Sequence, residues 1–550
     1  MDADPFATHR VENQPPPFEP ADLWALDPLL RLLVELHGAD WARERLAAYG
    51  ALAGGEILAL SWEAERDRPR LRTHDRFGHR IDRVEYHPAY HRIMQLAVEH
   101  GLSNLPWREP RPGAEVARAA LVYLHHQAEA GTNCPITMSF AGYPVLARDP
   151  FFGEWTTKLL VPAYDPSERP IAEKAGITLG MGMTEKQGGS DVRANSTRAE
   201  PLADGRSYRL IGHKWFFSAP MSDGFLVLAQ APGGLSCFLL PRWLENGARN
   251  AIRIQRLKDK VGNRSNASSE VEFEGALAYR VGEEGRGVAT ILEMVALTRI
   301  DCALGAAAEM RMALAQAVHH ARHRKAFGRR LIDQPLMRAV LADLALEWMA
   351  ALAFALRIVA WRERAADDGK AAKLARLGIP VAKYWLCKRA PAFVNEAQEC
   401  LGGAGYVEES LLARLYREAP LNSIWEGCGN IQCLDVLRVL EREPEALPIW
   451  LETAGGQDPD PLAERLLDAL PGIAEAALRD PAQARRLSEA LALLMQAQLL
   501  RRLGERDPRL AEAAAAFAAS RLGQARAGAF GCLPENADLE AGLALVLPPA

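Results

Sequence analysis

Met183-Thr184-Glu185-Lys186-Gln187-Gly188-Gly189-Ser190-Asp191-Val192 is a hydroxyl- and glycine-rich turn that follows the apolar run Ile177 to Met183. Such a turn brings backbone N–H groups and two hydroxyls against a flat, acceptor-rich ring or a phosphate. Far downstream stands Ile424-Trp425-Glu426-Gly427-Cys428-Gly429-Asn430-Ile431, where one carboxylate sits between a tryptophan and two glycines. Desolvation in such a place raises a carboxylate pKa toward that of a working base. Between the two lies Lys214-Trp215-Phe216-Phe217-Ser218, aromatics and a hydroxyl at the end of a strand-like run. Each segment also has a plain structural reading. The first can be a glycine-rich hairpin loop, the aromatics can pack a core, and Glu426 can be a helix N-terminal charge on the dipole.

The rest of the chain frames these segments. At 550 residues it exceeds a single-core domain, so roughly three or four packed units are expected. Composition is 49% hydrophobic and 25% charged, which is ordinary for a globular protein. The net charge of -5 excludes the whole molecule as an electrostatic magnet for nucleic acid or membranes. Its 8 cysteines show no CxxC pair or zinc-ligand spacing, so they read as thiols of a reducing compartment, and a cytoplasmic location is expected. The stretch from Met1 to Pro20 is polar and proline-rich, unlike a signal peptide. No stretch reads as long and apolar enough to span a membrane; the most apolar, Leu487 to Leu500, carries Glu489 and glutamines.

Four regions separate by pattern. Residues 1–175 read mainly helical, with i, i+3, i+4 apolar spacing from Leu23 to Leu46 and an alanine-rich run from Glu115 to Ala130. Residues 176–281 change to strand-like runs beginning at Tyr208, Phe225 and Ser236, separated by Asp204-Gly205 and Pro232-Gly233-Gly234. Residues 282–440 turn helical again, with long segments near 287–323, 335–365, 371–400 and 424–440, and four helices in a bundle are the economical way to bury their apolar faces. Residues 441–550 form an alanine- and leucine-rich helical extension.

In this order the three opening segments resemble the acyl-CoA dehydrogenase family of flavoproteins, over roughly residues 80 to 440. Asn13-Gln14-Pro15, Cys134-Pro135-Ile136-Thr137-Met138, the run Gly180 to Val192 and the run Arg256 to Ser268 are similar to its AidB-like, alkylation-response branch, and the long tail fits that branch too. The resemblance implies a mostly helical fold: an N-terminal helical domain, a central β-barrel, a four-helix bundle and the C-terminal extension, with FAD held between them. It implies that Met183, Thr184 and Gly189 lie along the isoalloxazine ring, and that Ser190 reaches the flavin phosphate or the thioester. Most of these dehydrogenases carry proline after the glutamate, where this chain has Lys186-Gln187, a change on the substrate side. Trp215 would flank the flavin, Ser218 would reach its ring edge, and Phe217 would pack the core.

Arg322-His323-Arg324-Lys325-Ala326-Phe327-Gly328, followed by Gln334, reads by itself as a solvated charged face. The resemblance implies instead that Arg324, Phe327 and Gln334 cross a subunit interface to the pyrophosphate and adenine of a neighbouring FAD, where the guanidinium fork suits a diphosphate. That makes the protein a homo-oligomer, a tetramer. His319 and His323 share a helical face but lack a third ligand, so a structural role is expected and no metal. The segment Gln398 to Tyr406 ends a helix with glycines but lacks G-x-G-x-x-G spacing, so NAD is not inferred. By resemblance Gln398, Gly402 and Gly403 approach the adenosine half of FAD, and Trp425, Gly427 and Asn430 belong to the cofactor site.

The implied reaction is α,β-dehydrogenation of an acyl-CoA thioester, which needs a carboxylate base facing the flavin across the substrate. The family keeps that base either in the turn that holds Glu426 or just before an arginine on the first bundle helix. The second position is Thr298, so Glu426 is the candidate. Arg438 either reaches into the cleft or forms a surface salt bridge. Three functions follow: a dehydrogenase passing electrons to a soluble acceptor, a DNA-protecting flavoprotein with vestigial activity, or an acyl-CoA oxidase. For the second, Arg485, Arg486, Arg501, Arg502, Arg506, Arg509, Arg521 and Arg526 cluster in the tail, and Arg501, Arg502 and Arg509 are its candidate contacts to double-stranded DNA. Residues after 440 are nevertheless acidic in sum, and a solvated helix surface accounts for the same arginines.

Overall fold

A computed structural model describes residues 6–456, 460–523, 528–535 and 537–547. Arg526 lies outside the described residues. The fold is mostly helical around a closed five-strand barrel. The N-terminal helices include Pro28–Leu36, Arg43–Leu52, Leu58–Arg66, Pro88–Glu99, Ala114–Ala128 and Asn133–Leu146. Pro28 opens the first of them behind Asp27, whose carboxylate accepts the Leu30 N–H, as a proline-started, side-chain-capped helix requires. Ala114–Ala128 is buried almost throughout and packs on the bundle. One element departs from the helical expectation: Arg70–His74 pairs antiparallel with Arg80–Glu85. Charges alternate there with half-buried residues, a two-residue period lost in so polar a stretch.

In the barrel, Ser207–Ser218 runs antiparallel to Ser268–Val281, which pairs with Gly234–Pro241, which pairs with Gly224–Ala231. Arg198–Pro201 bridges Gly224–Ala231 back to Ser207–Ser218 and closes the ring. Tyr208, Leu210, Phe217, Phe225, Phe238 and Phe273 fill it. Leu179–Gly182 adds a parallel strand on Gly224–Ala231 and delivers the chain to the Met183 turn at the barrel's rim.

Three long helices, Gly287–His323, Pro335–Arg364 and Gly369–Glu399, make the bundle. The fourth expected segment differs. Leu411–Asn422 ends, a turn intervenes, and Gly429–Arg442 starts afresh. Glu426 and Gly427 take φ of 59° and 92°, left-handed values that break a helix there. Pro335–Arg364 also corrects the membrane expectation, since by length and composition it is apolar enough to cross a bilayer. It is instead a core helix of the bundle, 89% buried over its most apolar window.

The tail joins the same core. Leu487, Leu491, Leu494, Phe517 and Leu543 are buried in one continuous cluster with the bundle. The indole of Trp385 donates to Gln496 Oε1 at 3.0 Å, and Arg311 donates to the Val546 carbonyl at 2.7 Å.

Candidate functional site

The turn that carries Glu426 is held from three helices. Arg299 Nε donates to the Glu426 carbonyl at 3.1 Å, and Gln432 Nε2 donates to the carbonyls of Glu426 and Gly427 at 3.0 and 2.8 Å. Lys383 Nζ, buried in Gly369–Glu399, donates to the carbonyls of Trp425 and Gly427 at 2.8 and 2.6 Å. These bonds satisfy the carbonyls that the broken helix leaves over and hold the glutamate in its left-handed conformation. Thr298 Oγ1 donates to Glu426 Oε2 at 2.7 Å. Glu426 is half-buried, and burial dominates its electrostatics and raises its pKa, against the hydroxyl of Thr298 and the charges of Lys383 and Arg299. Thr298, whose side chain cannot itself act as a base, therefore touches the candidate carboxylate. A threonine there carries no signal of its own in the sequence; its side chain and that of Arg299 converge on Glu426 only in the fold.

Trp425 is anchored from behind, its indole N–H donating to Asn422 Oδ1 at 3.0 Å. Asn422 Nδ2 in turn donates to the buried Glu309, which also pairs with His126. Arg438 forms an ion pair with Asp435 at 3.2 Å and is half-exposed, so the salt bridge is what the structure shows. Asp435 is shared with Arg299 and Arg376, which links this outer pair to the back of the Glu426 turn.

At the barrel rim, Glu185 Oε1 meets Lys214 Nζ at 2.8 Å with both side chains fully buried. Burial pushes the Lys214 ammonium down to about 8 while Glu185 pulls the other way. Glu185 is held well below the usual carboxylate range: burial opposes this, but Lys214 and the bonds from Thr197 and Ser196 outweigh it. The pair pins the Met183 turn to the barrel. Trp215 N–H donates to the Thr184 carbonyl at 2.8 Å, and a Cβ on Gly189 would stand 2.4 Å from Thr184 Oγ1, so only glycine lets that hydroxyl sit there. Ser190 is exposed beside it. A bulge between Lys214 and Phe217 turns both of those side chains inward and leaves Trp215 and Phe216 outside. Lys258 Nζ lies 3.4 Å from the Trp215 ring centroid and 4.7 Å from that of Phe216, which is half-exposed. Phe216 was not singled out by sequence; its exposure on an aromatic strand end is the mark it carries.

Cys134 lies near both the rim and Glu426. Burial pushes its thiol up to about 11, and it feels the charges of Lys260 and Glu426 and the polar groups of Ser218 and Asn266. Ser218 Oγ lies 3.0 Å from Ser268 Oγ. Cys134, on Asn133–Leu146, thus lies near both Glu426 and Ser218, and Trp425 and Met183 pack on the same apolar cluster as Cys134.

The remaining candidates stand elsewhere. Arg324 follows the far end of Gly287–His323, 26 residues beyond Thr298, or roughly 39 Å along a helix. Phe327 tips a two-residue-per-strand hairpin and is 97% exposed, and Gln334 Nε2 donates to the Ala326 carbonyl at 3.1 Å. Gln398 and the Gly402–Tyr406 turn lie toward that same end, because Cys387, one turn past Lys383, contacts the Cys302 carbonyl. Gln398 Nε2 donates to the Gly405 carbonyl at 2.9 Å. Gly402 and Gly403 are open, with no atom within 4 Å of an added Cβ. Asn430, by contrast, stays with the Glu426 turn and accepts from Arg485 Nε at 2.9 Å.

A flat ring with a long phosphate-linked tail fits these residues in two halves. The Thr184 turn, the exposed aromatics and Ser218 make a ring-sized ledge, and the open glycines with Arg324 make a place for a nucleotide. In one chain the two halves stand apart, Arg324 lying roughly 39 Å of helix beyond Thr298. Among the described residues no cluster of metal-ligating side chains occurs, and His319 and His323 bond instead to the Pro16 and His319 carbonyls. In the tail, Arg501 faces Gln498 and Glu505, Arg509 forks onto Asp507, and the partly buried Arg521 pairs with the buried Asp343 and Glu347. Arg502 is exposed.

Residues 13–166 match the AidB N-terminal domain, 180–276 the acyl-CoA dehydrogenase middle domain, and 285–441 the acyl-CoA dehydrogenase C-terminal domain. The chain is 53% identical over 443 residues to AidB of Escherichia coli (strain K12), covering 80% of this chain and 81% of that one. It is 32% identical over 441 residues to acyl-CoA dehydrogenase family member 11 of Caenorhabditis elegans, covering 76% and 71% of the two chains. A crystal structure of Caenorhabditis elegans ACDH-11 in complex with C11-CoA superposes with a TM-score of 0.85 at 26% identity, covering 94% of each chain. An acyl-CoA dehydrogenase from Bacillus anthracis complexed with FAD shares the fold, with a TM-score of 0.65 at 20% identity over 78% of this chain and 80% of that one. With three domain matches in family order and a relative more than half identical over four fifths of both chains, the protein belongs to the acyl-CoA dehydrogenase family, in the branch that carries an AidB-type N-terminal domain.

Proposed function

We propose that this protein is an FAD-dependent acyl-CoA dehydrogenase of the AidB-like type, with Glu426 as the base that takes the α-proton of an acyl-CoA thioester. The observation that carries the reading is Glu426 itself: a half-buried carboxylate with a raised pKa, fixed by Thr298 and near Cys134, which also neighbours Ser218. FAD, when bound, would supply the hydride acceptor that the desaturation needs. Met183, Thr184, Gly189, Ser190, Trp215 and Ser218 are proposed to hold its ring end with Trp425, Gly427 and Asn430. Thr298 occupies one carboxylate oxygen and leaves the other for the substrate, while Arg299, Gln432 and Lys383 keep the turn from swinging away. The likeness to Caenorhabditis elegans ACDH-11, whose structure holds C11-CoA, supports the substrate class.

The separation of the two halves supports a homo-oligomer, a tetramer by family analogy, in which Arg324, Phe327 and Gln334 of one copy join Gln398, Gly402 and Gly403 at a neighbour's FAD. Eight free thiols suit a reducing cytoplasmic compartment and a soluble electron acceptor. The tail arginines favour the dehydrogenase over the DNA-protecting reading, because Arg501 and Arg509 already face carboxylates. A shift of duplex DNA by the wild-type oligomer at low ionic strength would restore the latter. Anaerobic titration with a panel of acyl-CoA thioesters is the decisive test: a member of the panel should bleach the flavin. A protein that takes up no FAD on reconstitution, or never bleaches, is not this enzyme.

A further inference from the structure

The hairpin Lys325–Ala326 with Arg329–Arg330 has two residues per strand, and its turn residues Phe327 and Gly328 have φ of 50° and 76°. A ribbon this short does not hold its own shape in water, yet it carries Phe327 at its tip and Arg324 at its root. The following segment braces it through the Leu331 N–H on the Arg324 carbonyl and Gln334 on the Ala326 carbonyl, and the N-terminal arm, more than 300 residues earlier in the chain, adds a second brace. Asn13 acts as a surrogate strand: its Nδ2 donates to the Lys325 carbonyl at 2.9 Å and its Oδ1 accepts the Lys325 N–H at 2.7 Å. The Asn13 carbonyl accepts from Arg324 Nη1 at 2.7 Å, so the guanidinium plane is fixed while its other donors stay available. Asn13 has φ 57°, a conformation that asparagine tolerates better than other side chains, and it aims the amide and the carbonyl at adjacent residues.

The arm is itself anchored beyond that point. His319 Nε2 donates to the Pro16 carbonyl at 2.8 Å, Phe18 packs its ring 5.1 Å from that of His319, and Gln316 Nε2 donates to Glu19 Oε1 at 3.0 Å. The arm therefore runs along the last turns of Gly287–His323 and delivers Asn13 to the hairpin root.

We infer that the arm from Asn13 to Glu19 is a positioning element that holds Arg324 and the Phe327 tip in the pose in which they meet the nucleotide end of a neighbouring copy's FAD. The inference rests on the reading that Arg324 and Phe327 serve that cofactor. Asn13 touches no reacting atom; it acts through Arg324 and Lys325.

The test is Asn13→Gly in the full chain, since glycine keeps the left-handed backbone and removes only the two side-chain bonds. FAD affinity is read from flavin fluorescence on release, assembly from sedimentation, and the brace from hydrogen exchange at the Lys325 amide. Loss of two such bonds should weaken FAD binding about fivefold or more, lower the oligomer's stability to dilution and speed Lys325 exchange. Asn13→Asp, which keeps the acceptor for Lys325 but not the donor, should fall between the two; a merely structural loss of the arm would not grade in this way. If Asn13→Gly is recovered only as aggregate, Gln316→Ala, which frees the Glu19 end of the arm, supplies the same measurements. Arg324→Ala runs beside it. Weakened FAD binding in Arg324→Ala with wild-type affinity and assembly in Asn13→Gly overturns the arm inference alone. Unchanged FAD affinity in Arg324→Ala overturns the assignment of the hairpin to the cofactor, and the arm inference with it.

Discussion

As the proposed base, Glu426 must be ionised to take a proton, yet its surroundings resist the charge. Burial raises its pKa, and the Thr298 hydroxyl, Lys383 and Arg299 recover part of that cost by favouring the carboxylate. Glu426→Gln is nearly isosteric and keeps acceptors for Thr298, so flavin binding should persist while flavin reduction by acyl-CoA falls roughly 100-fold or more in single-turnover measurements. Unchanged bleaching would move the base elsewhere. Thr298→Val separates the hydroxyl from the packing. The hydroxyl donates to the charged form, so removing it raises the pKa of Glu426 further, and the acid limb of the pH–rate profile should shift to higher pH. A hydrogen bond to an ionised group is worth ~1.5–3 kcal/mol, so below that limb the rate should fall about tenfold or more, with recovery as pH rises. Thr298→Ser should restore the wild-type profile. Glu426 and its flanking Trp425 stand out in the sequence by residue type, and the structure adds the raised pKa and the Thr298 bond. Thr298 does not stand out, because a threonine acquires its meaning only when the Glu426 turn folds back onto Gly287–His323.

Among the elements, the helix Pro335–Arg364 shows how far periodicity carries. Its apolar run passes for a membrane span, but Asp343 and Glu347 lie within it, both nearly fully buried. Arg389 forks onto Glu347, and Arg521, from the tail helix Pro508–Leu522, reaches both carboxylates. The tail arginine assigned to a basic face is thus a partly buried counter-ion. Arg521→Ala leaves Asp343 with only the Gly531 N–H as partner among the described residues, and removing one member of a buried pair costs ~3–5 kcal/mol. Chemical denaturation should show a loss of that order, against a small change for Arg502→Ala, which is exposed. An equal effect of the two would mean that the tail is peripheral to the core. The strands beginning at Ser207, Gly224 and Gly234 were legible from apolar runs bounded by turn residues. The hairpin Arg70–His74 with Arg80–Glu85 was not, because its charges mask the alternation. Nor was the break before Gly429–Arg442, which depends on left-handed backbone at Glu426 rather than on any loss of apolar spacing.

At the scale of the whole molecule, one buried node ties the N-terminal helices, the barrel and the bundle together. The barrel loop at 263–266 inserts among carboxylates from three helical segments. Asn263 N–H donates to Glu418 at 2.6 Å, Ser265 Oγ to Glu129 at 2.6 Å, and Ser265 N–H to Glu65 at 3.1 Å. Arg414 closes the node, donating to Ser61 Oγ and the Ala128 carbonyl. Burial, and after it the nearby Glu65, push the Glu418 carboxyl up to about 8, and Glu65 is raised for the same first reason. Glu418 in the folded protein binds its proton more tightly than in the unfolded chain, whose carboxyl titrates near 4.5. Its contribution to stability is therefore complete below that value and is lost as pH rises toward about 8, with a slope of at most ~1.4 kcal/mol per pH unit. Burial lowers Lys260 to about 8, and its titration above that value acts in the opposite sense. A clean measurement therefore runs from about pH 5 to about pH 8, between the unfolded carboxyl and Lys260. Glu418→Gln keeps an acceptor for the Asn263 N–H but cannot ionise. Its melting temperature should lie near that of wild type at the acid end and rise above it progressively toward the alkaline end. A difference between the two proteins that does not change with pH would show that the node stays ionised throughout, and that the three parts are held by ion pairs with Arg414 and Lys260 rather than by a neutral carboxyl.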